Sequence, residues 1–282
     1  MAKRFQDRTA IVTGASRGIG AALAERLAAE GARLLLVART LDAHDHLAGS
    51  LNETVARCRR HGAVVDALVA DLSDADSRAQ IVPRALEVFG GRVDILVNNA
   101  AAAIYQPVVD YPLRRRRLTF EVNLHAPADL MQAVLRGMTE RREGWIVNLS
   151  SASALHDRGR QRTLATGAPF IGVYGASKAA LNRLTVAFAG ELAGTGVRVN
   201  TIEPRAAVLS EGAEVLVGDL IGDDLIESME AMVEAILILC DCPPDWTGAV
   251  HTSLDLLDET GATVMSLDGS RPHPEGRKIR RS

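Results

Sequence analysis

Two hydrophobic patterns alternate along the chain. Short continuous apolar runs occur at Thr9–Thr13, Arg33–Ala38, Val64–Ala70, Asp94–Val97, Trp145–Leu149, Val197–Ile202 and Ala249–Leu254. Between them lie longer segments with helical composition or spacing: Ile19–Glu30, Asn52–His61, Asp74–Phe89, about Arg114 to Glu140, Gly175–Leu192 and Glu227–Leu239. Gly31, Gly62 and Gly90-Gly91 stop three of these helices. Strands that are apolar throughout, rather than alternating, are covered on both faces. The pattern therefore predicts an α/β fold: a Rossmann-like, doubly wound parallel sheet of about seven strands, with helices on both faces.

Composition narrows the function classes. The chain has 282 residues, 47% hydrophobic and 24% charged, with a net charge of −3. These are ordinary globular values. The charge balance and the 4% aromatic content argue against a phosphate-backbone or base-stacking partner, so no nucleic acid is expected. Cys58, Cys240 and Cys242 are few and lack further Cys/His ligands, so no metal site is expected. No apolar run is long enough to span a membrane, and Met1–Asp7 has no apolar signal core; the expected location is cytoplasmic.

The first strand runs directly into Thr13-Gly14-Ala15-Ser16-Arg17-Gly18-Ile19-Gly20, where a helix opens. Glycines let a backbone approach a pyrophosphate, and the helix N-terminus offers N–H groups and a positive dipole end. The loop thus predicts dinucleotide binding. The second strand ends Val37-Ala38-Arg39, without the acid that would hold the ribose hydroxyls of NAD. Arg17 and Arg39 near the ribose would suit a 2′-phosphate, so the expected cofactor is NADP, with NAD as the alternative because Asp42 and Asp45 follow closely.

Further motifs agree in order and spacing. They are Asp71-Leu72, Asn98-Asn99-Ala100-Ala101, Val122-Asn123-Leu124, Asn148-Leu149-Ser150-Ser151, Tyr174-Gly-Ala-Ser-Lys178 and Val197-Arg-Val-Asn200 followed by Pro204. From about residue 7 to 255 the chain resembles the short-chain dehydrogenase/reductase family. A finer resemblance, carried by His46-Leu-Ala-Gly-Ser-Leu and Pro204-Arg205-Ala206-Ala207, is to its hydroxysteroid-dehydrogenase-like subgroup. The resemblance implies a catalytic tetrad of Asn123, Ser151, Tyr174 and Lys178, with Ser150 as the alternative serine. It also implies cofactor contacts from Gly14, Ser16, Arg17, Gly18, Ile19, Gly20, Arg39, Asp71, Leu72, Asn98, Ala100, Tyr174, Lys178, Pro204 and Ala207. Tyr174 would be the general acid/base, Lys178 would favour its phenolate and hold the nicotinamide ribose, Ser151 would polarise the substrate oxygen, and Asn123 would hold a relay water.

The resemblance further implies one dinucleotide-binding and catalytic domain over 1–269, with a substrate lid at 206–240 and a basic tail at 270–282. That tail reads as a loose end able to dock on a neighbour. Subunits would pair through helices at 114–140 and 175–192 as a dimer or homotetramer. Some positions depart from the family pattern. Ser151 and Tyr174 are 23 positions apart, and the extra stretch 156–170 carries Arg158, Arg160 and Arg162. It reads as a solvated loop or subunit contact, or as a cap recruiting an anionic substrate. Arg114–Arg117 wind around a helix start and read as a solvated end or subunit contact. Arg205 replaces a glycine, Leu209 stands near a threonine's place with Ser210 next, Ala101 replaces a glycine, and Asp255-Leu-Leu replaces Asp-Gly-Gly.

Three activities compete. One is an NAD(P)-dependent oxidoreductase on a ketone or secondary alcohol of an apolar, steroid-like or fatty-acyl substrate. The second is a 3-oxoacyl-thioester reductase. The third is a catalytically weak nucleotide-binding regulatory protein.

Overall fold

A computed structural model describes residues 3–42, 48–155, 170–209 and 226–277. Seven strands form one sheet in the order β3-β2-β1-β4-β5-β6-β7, and every pairing is parallel. The strands are β1 (Thr9–Thr13), β2 (Arg33–Ala38), β3 (Val65–Val69), β4 (Ile95–Asn98), β5 (Gly144–Leu149), β6 (Val197–Glu203) and β7 (Val250–Thr252). The helices are α1 (Gly18–Ala29), α2 (Leu51–Arg60), α3 (Ala75–Ala79), α4 (Ile81–Phe89), α5 (Leu113–Phe120), α6 (Ala126–Arg141), α7 (Gly172–Glu191), α8 (Met229–Leu239) and α9 (Ser253–Thr260).

The apolar strands are apolar throughout because successive side chains enter different cores. Ala10, Val12, Leu34, Leu36, Trp145 and Val147 join the core that α1, α2, α8 and α9 cover. Ile11, Leu35, Val37 and Ile146 join the one under α4 and α6. Chain order reverses between β1 and β4, which opens a crevice at their carboxyl ends, where α/β sheets place ligands.

Four expected elements differ. The helix expected at 74–89 divides into α3 and α4, because Pro83 has no N–H to bond the carbonyl of Ala79. The helix expected at 114–140 divides at a π turn, Glu121–His125, where Pro127 likewise withholds the i+4 bond from Asn123. The last strand is only Val250–Thr252, since Ser253 already opens α9. Residues 270–277 are not a loose end: Pro272 bridges Met265, and Arg277 bonds Asp258 at 2.9 Å and the carbonyl of Ala262. The rest of the tail, 278–282, lies outside the described residues, as do 156–169 of the insertion, 210–225 of the expected lid, Asp45 and His46.

Among the described residues no helix is long and apolar enough to cross a membrane, and no His/Cys/Asp/Glu group could hold a metal ion. The three cysteines are free and buried, and burial pushes the thiols of Cys58 and Cys242 up to about 12 and about 11. They are unreactive.

Candidate active site

The glycine loop is fixed by close approach. A Cβ on Gly20 would stand 2.3 Å from the Gly14 carbonyl oxygen, and one on Gly14 would stand 2.8 Å from the Ala100 Cα. Thr13 Oγ1 accepts the backbone N–H groups of Asn99 (3.1 Å) and Ala100 (3.2 Å), and the Asn99 side chain donates to the carbonyls of Thr13 and Gly14. This locks the β1 turn to the β4 turn. The first turn of α1 carries no acid, and Arg17 gives it no side-chain cap. A backbone cradle without an acid at a helix N-terminus fits a pyrophosphate.

Around this cradle, Ser16 and Leu72 are buried, while Ile19 and Ala100 are half-buried. Arg17 donates from Nε to Ala48 (2.9 Å) and from Nη2 to Gly49 (3.2 Å), so it clamps the segment after β2. Arg39 is exposed. Burial opposes ionisation of Asp71, but donation from the Ser73 amide and hydroxyl, with Arg39 nearby, outweighs it and lowers its pKa. Asp42, one of the two acids that favoured NAD, instead accepts from Asn52 at 2.7 Å. Asn98 donates to Asn148 at 2.8 Å across the β4–β5 pair, inside the sheet.

The tetrad residues converge at the ends of β5 and α7. Tyr174 and Lys178 lie one turn apart on α7, and Lys178 Nζ is 5.8 Å from the Tyr174 ring centre. Lys178 is buried, donates to the Leu149 carbonyl at 2.7 Å, and is lowered by burial to about 8. Tyr174 is raised above the ordinary phenol value, chiefly by burial and further by Tyr105, with the Ser151 hydroxyl pulling the other way as hydrogen-bond partner. Ser151 therefore faces Tyr174, whereas Ser150 Oγ is buried without a hydrogen-bond partner among the described residues. Asn123, in the π turn, is fully buried. Its side chain accepts from the Ala102 amide (2.7 Å) and donates to Ser177 Oγ (3.0 Å), which donates to the Tyr174 carbonyl. Asn123 thus ties the loop after β4 to α7, and its side chain touches Ser177 rather than Lys178.

Three contributors escape the sequence motifs. Tyr105 meets Tyr174 edge-on at 5.6 Å. Ser153 donates to Ser151 Oγ at 2.9 Å, fixing it from behind. Glu227 is the third. Pro204 and Ala207 sit on the β6 exit, and Glu227 holds that exit by accepting the amides of Arg205 (3.1 Å) and Ala206 (3.2 Å) and the Ser253 hydroxyl (2.7 Å). Burial pushes its carboxyl up to about 7 against these donors. Arg205, standing where the motif has glycine, pairs with Asp255.

The glycine cradle, the switch-point crevice and the Ser/Tyr/Lys cluster define a dinucleotide-binding α/β oxidoreductase. The model of the short chain dehydrogenase family matches residues 8–216, and the chain belongs to that family. A 1,6-dihydroxycyclohexa-2,4-diene-1-carboxylate dehydrogenase of Pseudomonas putida is 35% identical over 258 residues, covering 85% of this chain and 88% of that protein. Hydroxysteroid dehydrogenase-like protein 2 of Danio rerio is 27% identical over 94% of this chain, which spans 62% of that protein. A solved 3-oxoacyl (acyl-carrier-protein) reductase of Agrobacterium tumefaciens with NADP bound superposes with a TM-score of 0.73 at 30% identity, covering 89% of this chain and 94% of that one.

Proposed function

We propose that this chain transfers a hydride between NADP and a ketone or secondary alcohol carried on an apolar body, within one catalytic domain over 1–269. The observation that carries the reading is the hydroxyl pair Ser151/Tyr174 with Lys178 one turn below, beside the glycine cradle. When bound, the nicotinamide supplies or accepts the hydride. Gly14, Ser16, Gly18, Ile19 and Gly20 would hold the pyrophosphate, Asp71 and Leu72 the adenine, and Asn98, Ala100, Pro204 and Ala207 the nicotinamide end.

Tyr174 gives its hydroxyl proton to the substrate oxygen in reduction and takes it back in oxidation. Ser151 donates to the same oxygen and keeps it in line. Lys178 remains mostly protonated at neutral pH, so its charge lowers the cost of the phenolate. Asn123 spends its side chain on the scaffold. A relay water there would need another group of Asn123, and its main-chain carbonyl lacks the i+4 donor because Pro127 has no N–H.

Arg39, exposed and unopposed by Asp42, supports NADP over NAD, and Arg17 shapes the same corner through residues 48–49. The exposed apolar side chains Val108, Val109, Leu155 and Phe170, at the rims of the site loops, support an apolar substrate. Pairing through α5, α6 and α7 is the expected assembly, checked by light scattering. The test of the whole reading is a parallel fluorescence titration with NADPH and NADH. Tenfold tighter NADPH binding, about 1.4 kcal/mol, is expected. Tighter NADH would reverse the cofactor assignment, and no binding of either would remove the enzyme reading.

A further inference from the structure

A groove of about 580 Å3 lies between the loop after β4 and the start of α5, lined by Ala103, Ile104, Tyr105, Arg114, Arg115 and Leu118. Small-molecule sites have this size. Tyr105 belongs both to the groove wall and to the edge-on contact with the Tyr174 ring, so one side chain joins the groove to the candidate acid/base residue. Four of the six lining residues are apolar or aromatic, and the other two are arginines.

Neither guanidinium has an ion-pair or hydrogen-bond partner among the described residues. The carboxylates further along this helical run are already taken: Arg78 holds Glu121 and Asp129, each at 2.7 Å. The first turn of α5 has no acid and no side-chain cap, so the helix end adds to the positive field. Two unneutralised cations against an apolar wall are complementary to an amphipathic anion.

We propose that this groove seats the substrate as an organic anion, its acidic group on Arg114 and Arg115 and its apolar body along Ile104, Tyr105 and Leu118 toward Tyr174. The inference deepens the oxidoreductase reading and rests on it for the reaction, but the binding it asserts is measurable without turnover. Cyclohexanecarboxylate, cyclohexyl phosphate and neutral methyl cyclohexanecarboxylate are titrated calorimetrically into the full chain. Turnover of 4-oxocyclohexanecarboxylate is compared with that of its methyl ester.

The carboxylate is expected to bind at least tenfold tighter than the ester and to show the higher kcat/KM. An R114Q/R115Q variant, folded by circular dichroism, should bring both ratios close to one. Tighter binding of the phosphate would identify a phosphorylated substrate in the same seat. If the double variant does not fold, the single variants and a salt titration of the unmodified protein replace it, since added salt should erode the anion preference. Equal binding of acid and ester, or a preference that survives in the variant, would overturn the proposal. So would a changed mass by light scattering with the preference intact, which would make the arginines a subunit contact. Tyr174→Phe separates the two readings: it should cut turnover by about 10²–10⁴-fold while retaining the anion preference. Retained turnover there would count against the acid/base assignment and leave the seat standing.

Discussion

Two turns at the carboxyl edge of the sheet do the same job by different physics. At the ends of β1 and β4, the backbone is held by neutral groups at close range: the Thr13 hydroxyl, the Asn99 amide, and glycines that leave no room for a Cβ. At the end of β6, the backbone is held by a buried carboxylate, Glu227, which takes two amides and the Ser253 hydroxyl. The first arrangement holds at any pH and fails through crowding. The second is tunable and fails through ionisation. A turn that must admit a phosphate gains from rigidity. The turn at the end of β6, where Arg205 stands in the place of the motif's glycine, is held instead by an interaction that answers to pH.

The largest effect is expected where the two turns meet the chemistry. Tyr174→Phe removes the proposed proton donor and leaves the ring against Tyr105 in place. Turnover should fall by about 10²–10⁴-fold, the ordinary worth of a positioned acid/base group, with cofactor affinity nearly unchanged. A loss of cofactor binding of the same size would show that the phenol serves structure rather than proton transfer.

Glu227 tests the β6 side. Its folded pKa, about 7, lies above the ordinary 4.5. A raised carboxyl pKa means the folded state holds the proton more tightly, so this contribution to stability is complete below about 4.5 and is lost as pH rises through about 7. The shift corresponds to roughly 3 kcal/mol. Glu227→Gln keeps an oxygen for the two amides and removes the titration. The difference in unfolding free energy between the variant and the unmodified protein should therefore grow between pH 5 and pH 8. A difference that stays flat would show that Glu227 does not titrate in this range.

On the other side, Gly20→Ala drives a methyl within 2.3 Å of the Gly14 carbonyl and 2.4 Å of the Asn99 amide nitrogen. Over-packing of this kind costs about 1–3 kcal/mol. The loss should appear both in denaturant unfolding and in cofactor affinity, and it should not depend on pH. A pH-dependent loss would erase the contrast between the two turns.

These two sides also differ in how far the sequence exposes them. The glycine loop is contiguous, and Tyr174 and Lys178 are four apart on one helix, so spacing alone brings their atoms together. Tyr105, Ser153 and Glu227 are not legible in that way. The Glu227–Ser253 bond joins residues 26 apart, one just ahead of α8 and the other opening α9 after β7. A lone glutamate ahead of an apolar helix reads as a boundary charge until the fold buries it. The helix breaks at Pro83 and Pro127 follow from a missing N–H at a known position, and proline rules alone would have marked them. Arg17 is the reverse case. Its place in the loop was legible, but its partners, the carbonyls of Ala48 and Gly49, depend on how the chain returns after β2.

The smallest expected effect concerns that corner. With Arg17 occupied by the backbone and Asp42 by Asn52, Arg39 is the side chain among the described residues at the end of β2 left to meet a 2′-phosphate. It is exposed, so water and salt screen it, and its contribution belongs with a single charge-assisted contact rather than with a buried pair. Arg39→Asp removes that contact and supplies an acceptor for ribose hydroxyls. The ratio of NADH to NADPH affinity should rise about tenfold, or about 1.4 kcal/mol, in low-salt titrations, and by less as salt is added. Arg17→Gln should change the ratio less, because its first consequence is to loosen residues 48–49 rather than to uncover a charge. If instead Arg17→Gln shifts the ratio and Arg39→Asp does not, the phosphate seat lies on the rigid glycine-loop side, and cofactor choice is set by packing rather than by an exposed charge.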